Sequence, residues 1–425
     1  MLQTLKNAWV IKEIRYKILF TIMIILVFRV GSVIPVPYID VAALKAANES
    51  GSTNEFFSYL SILTGGGLEY GAIFALSVTP YINSSIIIQL LTVVFTKLQE
   101  WSKEGEEGQK KIAQLTRWIT VALALIQGTA YFIYLKNSGY LSVRGGASVF
   151  AGFVIVLAFT AGSTLVMWLG ERIDEKGVGN GISMILFAGI LSRAPQAFNA
   201  LLAYWKLGRQ IAVIAIVVIF LAIVMFVVWM THAERRIPVQ YAKRVVGNKM
   251  YGGQNTHIPI KVNMSGVMPI IFASSILMLP TMILSFMRNT TSTMYKILSL
   301  FSVQGIFYAI VYFLLIIGFA YFYATIQFNP VEMANNLRKN GGAVPGIRPG
   351  KPTSDFISKI LSRITLLGAL FLSVIAILPI IIGNVGGINI SLGGTSLLIM
   401  VGVALDTVRN LESQMMMRHY KGFLD

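Results

Sequence analysis

Residues 78–91 read VTPYINSSIIIQLL, an apolar run that with its flanks is long enough to cross a bilayer, yet it is interrupted by Pro80, Asn83, Ser84 and Ser85. A span that only crosses lipid has no use for those residues. Pro80 removes a backbone donor and bends a helix, while Val78 and Ile82 stand four apart and stack on one face around the bend. Irregular backbone at membrane depth is tolerated where it is buried in protein or lines a watery cavity. The stretch therefore predicts a membrane bundle with something inside it.

The composition agrees. Of 425 residues, 55% are hydrophobic and only 12% charged, and the mean hydropathy is +0.71, which predicts an all-α polytopic membrane protein. The net charge of +17 is read first as basic loops facing the cytoplasm and anionic lipid, with nucleic acid the remoter reading. Without a cysteine there is neither a disulfide framework nor a thiolate metal site. The first apolar run ends in IPVP rather than in a small-residue cleavage site, so it is expected to be a retained span.

Windows of about twenty apolar residues fall near 18–36, 72–95, 117–136, 148–170, 181–203, 211–231, 264–287, 304–326, 362–383 and 392–411, ten expected spans. The fifth is the weakest, because Arg193 and Pro195 cut into it. With the N-terminus in the cytoplasm, the loops and termini on that side hold 26 of the 35 Lys and Arg residues, the opposite side holds eight, and Arg29 lies within a span near its outer end, where it can snorkel. Basic loops resist translocation, so both termini are expected in the cytoplasm. Five spans in each half, 1–203 and 204–425, permit two inverted halves.

Three segments on the basic side are long. Residues 97–116 carry mixed charge and suit a solvated turn or helix extension. Residues 232–262 alternate apolar and polar residues around GNKMYGGQN, which predicts a protruding two-stranded hairpin. Residues 329–359 are rich in Gly and Pro, which predicts an irregular loop carrying Arg338, Lys339, Arg348 and Lys351. On the other side, residues 56–68, FFSYLSILTGGGL, are apolar but too short to span. They are expected to be re-entrant or packed into a cavity, the alternative being an interfacial helix.

Enzyme motifs are missing: there is no phosphate-binding GxxxxGK[ST], no GxSxG, no HExxH and no GxGxxG. GVGNGIS at 177–183 is read as a tight turn into a helix. Ion-coupled carriers bury Asp, Glu or Arg near the midplane, whereas Arg29 and Asp406 lie near span ends. A secondary transporter for a small solute is the alternative reading, and an assembly scaffold a third.

Seven stretches together resemble the SecY family, whose members are central subunits of the Sec protein-conducting channel. They are FRVGSVIPVP at 28–37, PYINSSIIIQLL at 80–91, GVGNGIS at 177–183, KVNMSGVMPIIFASS at 261–275, FNP at 328–330, VPGIRPG at 344–350 and LGGTSLLI at 392–399. The resemblance implies a channel of two pseudo-symmetric inverted halves that passes unfolded secretory chains and releases hydrophobic segments sideways into the bacterial cytoplasmic membrane. It implies no enzyme activity, no cofactor and no metal. Its apolar pore ring falls on Val78, Ile82, Ile182, Leu186, Ile271 and Ile399, aliphatic groups that offer an ion no solvation. Its plug, a short re-entrant helix, falls on 56–68 and includes Tyr59, Leu60, Ile62 and Leu63, with Gly65, Gly66 and Gly67 as a hinge. The lateral gate, between the second and seventh spans, includes Asn83, facing near Leu279, with Gln127 and Ser275 nearby. Lys243, Arg244 and Arg348 are implied docking residues for the SecA motor ATPase or for the ribosome and its RNA phosphates. SecE and SecG are the implied small companion subunits, and signal sequences the implied gate ligands.

Overall fold

A computed structural model describes residues 8–49, 61, 64–143, 147–241, 244–246, 249–251, 255–264, 266–286, 293–301, 305–386 and 394–421. The chain opens with α1 (Lys12–Gly31) and α2 (Val41–Glu49), then passes through turns over 64–77 before α3 (Thr79–Val94) begins. Pro80 stands in the first turn of α3, where its missing N–H would have had no helical partner anyway. This corrects the expectation of a proline bend within a continuous span: Pro80 starts the helix. The sharp bend comes later, at Phe95, where α3 meets α4 (Thr96–Lys103) at 103°.

There follow α5 (Glu106–Asn137), α6 (Ala147–Lys176), α7 (Gly181–Leu191), α8 (Ala194–Lys206) and α9 (Gln210–His232). Arg193 lies at the break between α7 and α8, and Pro195 in the first turn of α8, so the expected interruption of the fifth span is real. After the strands described below come α10 (Met268–Phe286), α11 (Thr293–Ser299), α12 (Ile306–Gln327), α13 (Pro330–Lys339), α14 (Lys351–Gly386) and α15 (Gly394–Lys421). Among the described residues, six helical stretches are long and apolar enough to cross a membrane by themselves, or seven with the bent α3–α4 pair.

The buried side chains divide along the chain. One core holds residues from Val36 to Phe159, among them Leu68, Leu76, Tyr131 and Ile155, and takes in Met278 from α10 at its edge. A second holds residues from Ile223 to Leu398 of α9, α10, α12, α14 and α15. A third mixes the two sets: Phe28, Phe74, Val78, Ile182 and Leu186 meet Ile399 and Val403, with Val267 and Ile271 against them. Within lipid such contacts act through packing rather than expulsion of water, and small polar bridges add to them, as where Ser84 of α3 meets Thr120 of α5 at 2.6 Å.

At one end the long segments build a sheet. Strand β1 (Glu234–Tyr241) leads through β2 (Arg244–Val246) and β3 (Lys249–Tyr251) to β4 (Asn255–Lys261). β1 and β4 are antiparallel from Glu234↔Lys261 to Gln240↔Asn255, as alternation predicted. The sheet has a third member: β5 (Gly342–Ala343) pairs with β1 through Gln240↔Ala343 and Tyr241↔Gly342. The expected two-stranded hairpin is therefore part of a three-stranded sheet. The expected irregular loop is in part a helix, α13, whose start is capped by Asn329. Ile237, Val239 and Ile260 pack against Leu337, Val344 and Ile357, which joins both segments to the start of α14.

Candidate functional site

The six ring candidates meet in one place. Val78, Ile182, Leu186 and Ile399 are buried in the third core, and Ile82 and Ile271 pack against it half-buried. They come from α3 and the residue before it, α7, α10 and α15. Above them a cavity of about 480 Å³ reaches toward the sheet end, with Ile82, Ile182, Leu186 and Ile271 in its wall. The rest of its lining mixes apolar residues such as Val267, Met268 and Phe272 with the polar Gln89, Asp174, Asn180, Lys261, Asp406 and Arg409. The cavity thus ends on a cluster of aliphatic side chains drawn from four parts of the chain.

Local structure aims these side chains. Ile82 N–H donates to the Val78 carbonyl at 3.0 Å, so the pair is stacked by the first turn of the helix itself. Just before it, Ser77 has φ 49°, in the left-handed region a non-glycine residue enters at a cost of about 1 kcal/mol. Its carbonyl accepts from Ser163 Oγ of α6 at 3.1 Å. At α7, Gly179 takes φ +77° in the turn, Asn180 Oδ1 accepts from Ser183 N–H at 2.9 Å, and Gly181 N–H donates to Asp174 Oδ1 at 2.7 Å. This cap sets the rotation of the helix that presents Ile182 and Leu186 four residues apart. The turn reading of GVGNGIS accounts for all of these contacts.

The gate candidates lie on three helices. Asn83 is half-buried on α3, its Oδ1 shielded without a hydrogen-bond partner among the described residues. Gln127 on α5 and Ser275 on α10 are half-buried. Leu279 is exposed on α10. What does join α3 to the other side is a polar pair outside that set: Tyr323 Oη of α12 donates to Gln89 Oε1. Phe272 of α10 packs on Tyr323 at 5.0 Å and edge-on to Phe319 at 5.7 Å. Gln89 was visible as a polar residue in an apolar run, but its partner, 234 positions away, left no local signal.

Tyr59, Leu60, Ile62 and Leu63 lie outside the described residues, as does Lys243. Gly65, Gly66 and Gly67 follow, the first two at φ +65° and +91°. Arg29 Nη1 donates to the Gly65 carbonyl at 3.4 Å. Arg244 opens β2, which pairs with β3 in a separate two-stranded ladder through Arg244↔Tyr251. Arg348 is exposed on the turn after β5, whose backbone is held by Ile347 N–H to the Val344 carbonyl at 3.1 Å and Thr353 Oγ1 to the Arg348 carbonyl at 2.8 Å.

Comparison with known proteins bears on this geometry. The family profile described as SecY matches residues 72–408. "Protein translocase subunit SecY" of Bacillus subtilis is 43% identical over 436 residues, all of both chains. A solved chain described as "The structure of a protein conducting channel" superposes with a TM-score of 0.64 at 16% identity, covering 94% of this chain and 92% of that one. A further one, "Sec61 in the Canine ribosome-channel complex from the endoplasmic reticulum", gives 0.60 at 15%, covering the same shares. The profile spans the turns before Val78, the capped start of α7 and the helix bearing Ile399, so the parts that assemble the aliphatic cluster lie within it, and this chain belongs to the SecY family.

Proposed function

We propose that the protein is the channel subunit of a protein translocase, conducting unfolded polypeptides across a membrane through a constriction at the aliphatic cluster and releasing hydrophobic segments between α3 and α10. The observation that carries this reading is the convergence of six aliphatic side chains from four parts of the chain beside a cavity that also holds charged and polar groups. A signal segment favours the open form by binding it better than the closed form, the only way a ligand shifts such an equilibrium. The reading assigns no catalytic group, and work is supplied by a partner.

The finer assignments rest on the following support. Ten spans in two inverted halves are supported by α1, α10 and α15 standing beside the helices that qualify on apolarity alone, and by the separate cores of residues 36–159 and 223–398. A bacterial cytoplasmic membrane with both termini inside is supported by the excess of Lys and Arg in the loops on the proposed inner side, and on this reading the sheet is cytoplasmic. Docking of SecA or of a ribosome is supported by exposed Arg348 on a backbone-fixed turn, and the likeness to a ribosome-bound channel favours the ribosomal arm. SecE and SecG complete the proposed assembly, and residues 56–68 are the proposed plug.

The test is photocrosslinking from positions 82, 182 and 271 to a secretory chain arrested during export. The channel reading expects the same chain to be captured at each position. Capture at none, with a small solute competing for the cavity, establishes the carrier reading instead.

A further inference from the structure

At the start of α7 the backbones of α6 and α7 touch with no side chain between them, and the contact lies beside Ile182. A Cβ added at Gly181 would overlap the Gly170 carbonyl oxygen and stand 2.9 Å from Ile173 Cβ. A Cβ added at Gly170 would stand 2.5 Å from Ile182 Cδ1, well inside the separation of about 3.5–4.0 Å at which two carbons rest. The tip of Ile182 therefore lies in a recess of α6 that exists because residue 170 has no side chain.

The seat is fixed on its other sides. Gly181 N–H donates at 2.7 Å to Asp174 Oδ1, one turn beyond Gly170 on the same helix. In the turn that joins α6 to α7, Val178 N–H donates to Thr21 Oγ1 of α1 at 3.1 Å, and a Cβ at Gly177 would stand 2.6 Å from that same oxygen. Ile173, which packs under the crossing, is fully buried. The start of α7 thus has no slack toward α6 or α1. Ile182 is only 9% exposed, and the open space beside it is the cavity it lines.

We infer that Gly170 is a positioning residue that sets the bore of the proposed conduit, by drawing the tip of Ile182 back into α6 and out of the way of a passing chain. The inference rests on the reading of the aliphatic cluster as a conducting constriction. A methyl group at position 170 pushes Ile182 Cδ1 toward the cavity, the side on which space is open, and narrows the path without altering a charge or a hydrogen bond. The bulk that the conduit tolerates is then decided behind the ring, by a residue that never meets the cargo. A linear chain passes the displaced methyl group, whereas a chain doubled back on itself strikes it.

The experiment uses membrane vesicles containing the full chain with its native companion subunits. One secretory chain is presented in two forms, linear and closed into a short loop by an internal disulfide, and the ratio of looped to linear export is read. The ratio does not depend on how much channel has folded, so a merely structural defect leaves it unchanged. Gly170→Ala is expected to lower it about tenfold, the factor that about 1.4 kcal/mol added to the barrier for the looped form produces. Adding Ile182→Val, which deletes the Cδ1 atom that the new methyl group strikes, is expected to return the ratio to the parental value. A parental ratio in Gly170→Ala, or a lowered ratio that Ile182→Val leaves as it is, overturns the inference. Should Gly170→Ala not accumulate, Ile182→Val alone decides: a raised ratio supports the bore assignment and an unchanged one overturns it. A parent that exports neither form overturns the conduit reading itself, whereas normal export of both forms by every variant overturns the role of Gly170 alone.

Discussion

Single residues at the proposed constriction carry distinct loads. Ile82 and Ile271 are the half-buried members, facing the cavity, while Val78 and Ile399 are deep in the packed seam. Ile82→Asn puts an amide where an ion can use it and leaves the fold nearly intact. Ile399→Asn inserts the same amide into the core and adds about 1–3 kcal/mol of destabilisation if it finds no partner. Both are expected to raise resting ion leak and to pass substrates with defective signals, with Ile399→Asn also lowering the amount of protein in the membrane. Conductance and export assays, normalised to protein level, check the pair; parental leak in both removes them from the ring. The stacked pair Val78 with Ile82 was legible because spacing of four is a property of any helix, whereas Ile182 with Leu186 entered only through the family resemblance. Pro80 was misread, since a proline in a long apolar run looks like a kink unless the helix start is known. Arg193 was noticed only as a break in a span, because its ion pair with Glu69 leaves no trace in local pattern.

Among the elements, the pairing of β5 with β1 changes what the basic loops are. Two residues of strand cannot be recognised from composition, and their partner lies about a hundred positions earlier, so the sequence suggested two independent projections where there is one sheet seated on α13 and α14. A partner held at Arg348 is then connected to β1, and through Val344 and Ile357 to the head of a 36-residue helix. Arg348→Glu is expected to weaken motor-driven translocation by reversing the docking charge. Ala343→Pro changes no charge, yet it is expected to weaken translocation as well, by disturbing the β1–β5 register. Vesicle transport assays with added motor check both; full activity in Ala343→Pro shows that the loops work separately.

For the whole molecule, the absence of cysteine from all 425 residues makes each introduced thiol a clean reporter. Thiols placed at 243 and 348 are expected to react with an impermeant reagent only from the cytoplasmic side, and one at 207 only from the outer side. Reaction of all three from one side contradicts the proposed orientation. The general plan, a bundle built around a path, was readable from apolar windows and loop charge. How the two sets of helices meet was not, because the cores that hold each set together are made of ordinary aliphatic residues with no mark of which neighbour they choose.

The proposed constriction is also the place where the two sets of helices adhere to each other. On that proposal the surfaces that close the path are the surfaces a passing chain must part, so the chain replaces their contacts with its own. An apolar stretch in transit supplies a good substitute and is retained; a run of glycine or charge supplies a poor one and is expelled by the closing walls. The drag on a cargo therefore varies along its own sequence, and its motion under a steady pull should be halting, with pauses where its side chains most resemble those they displace.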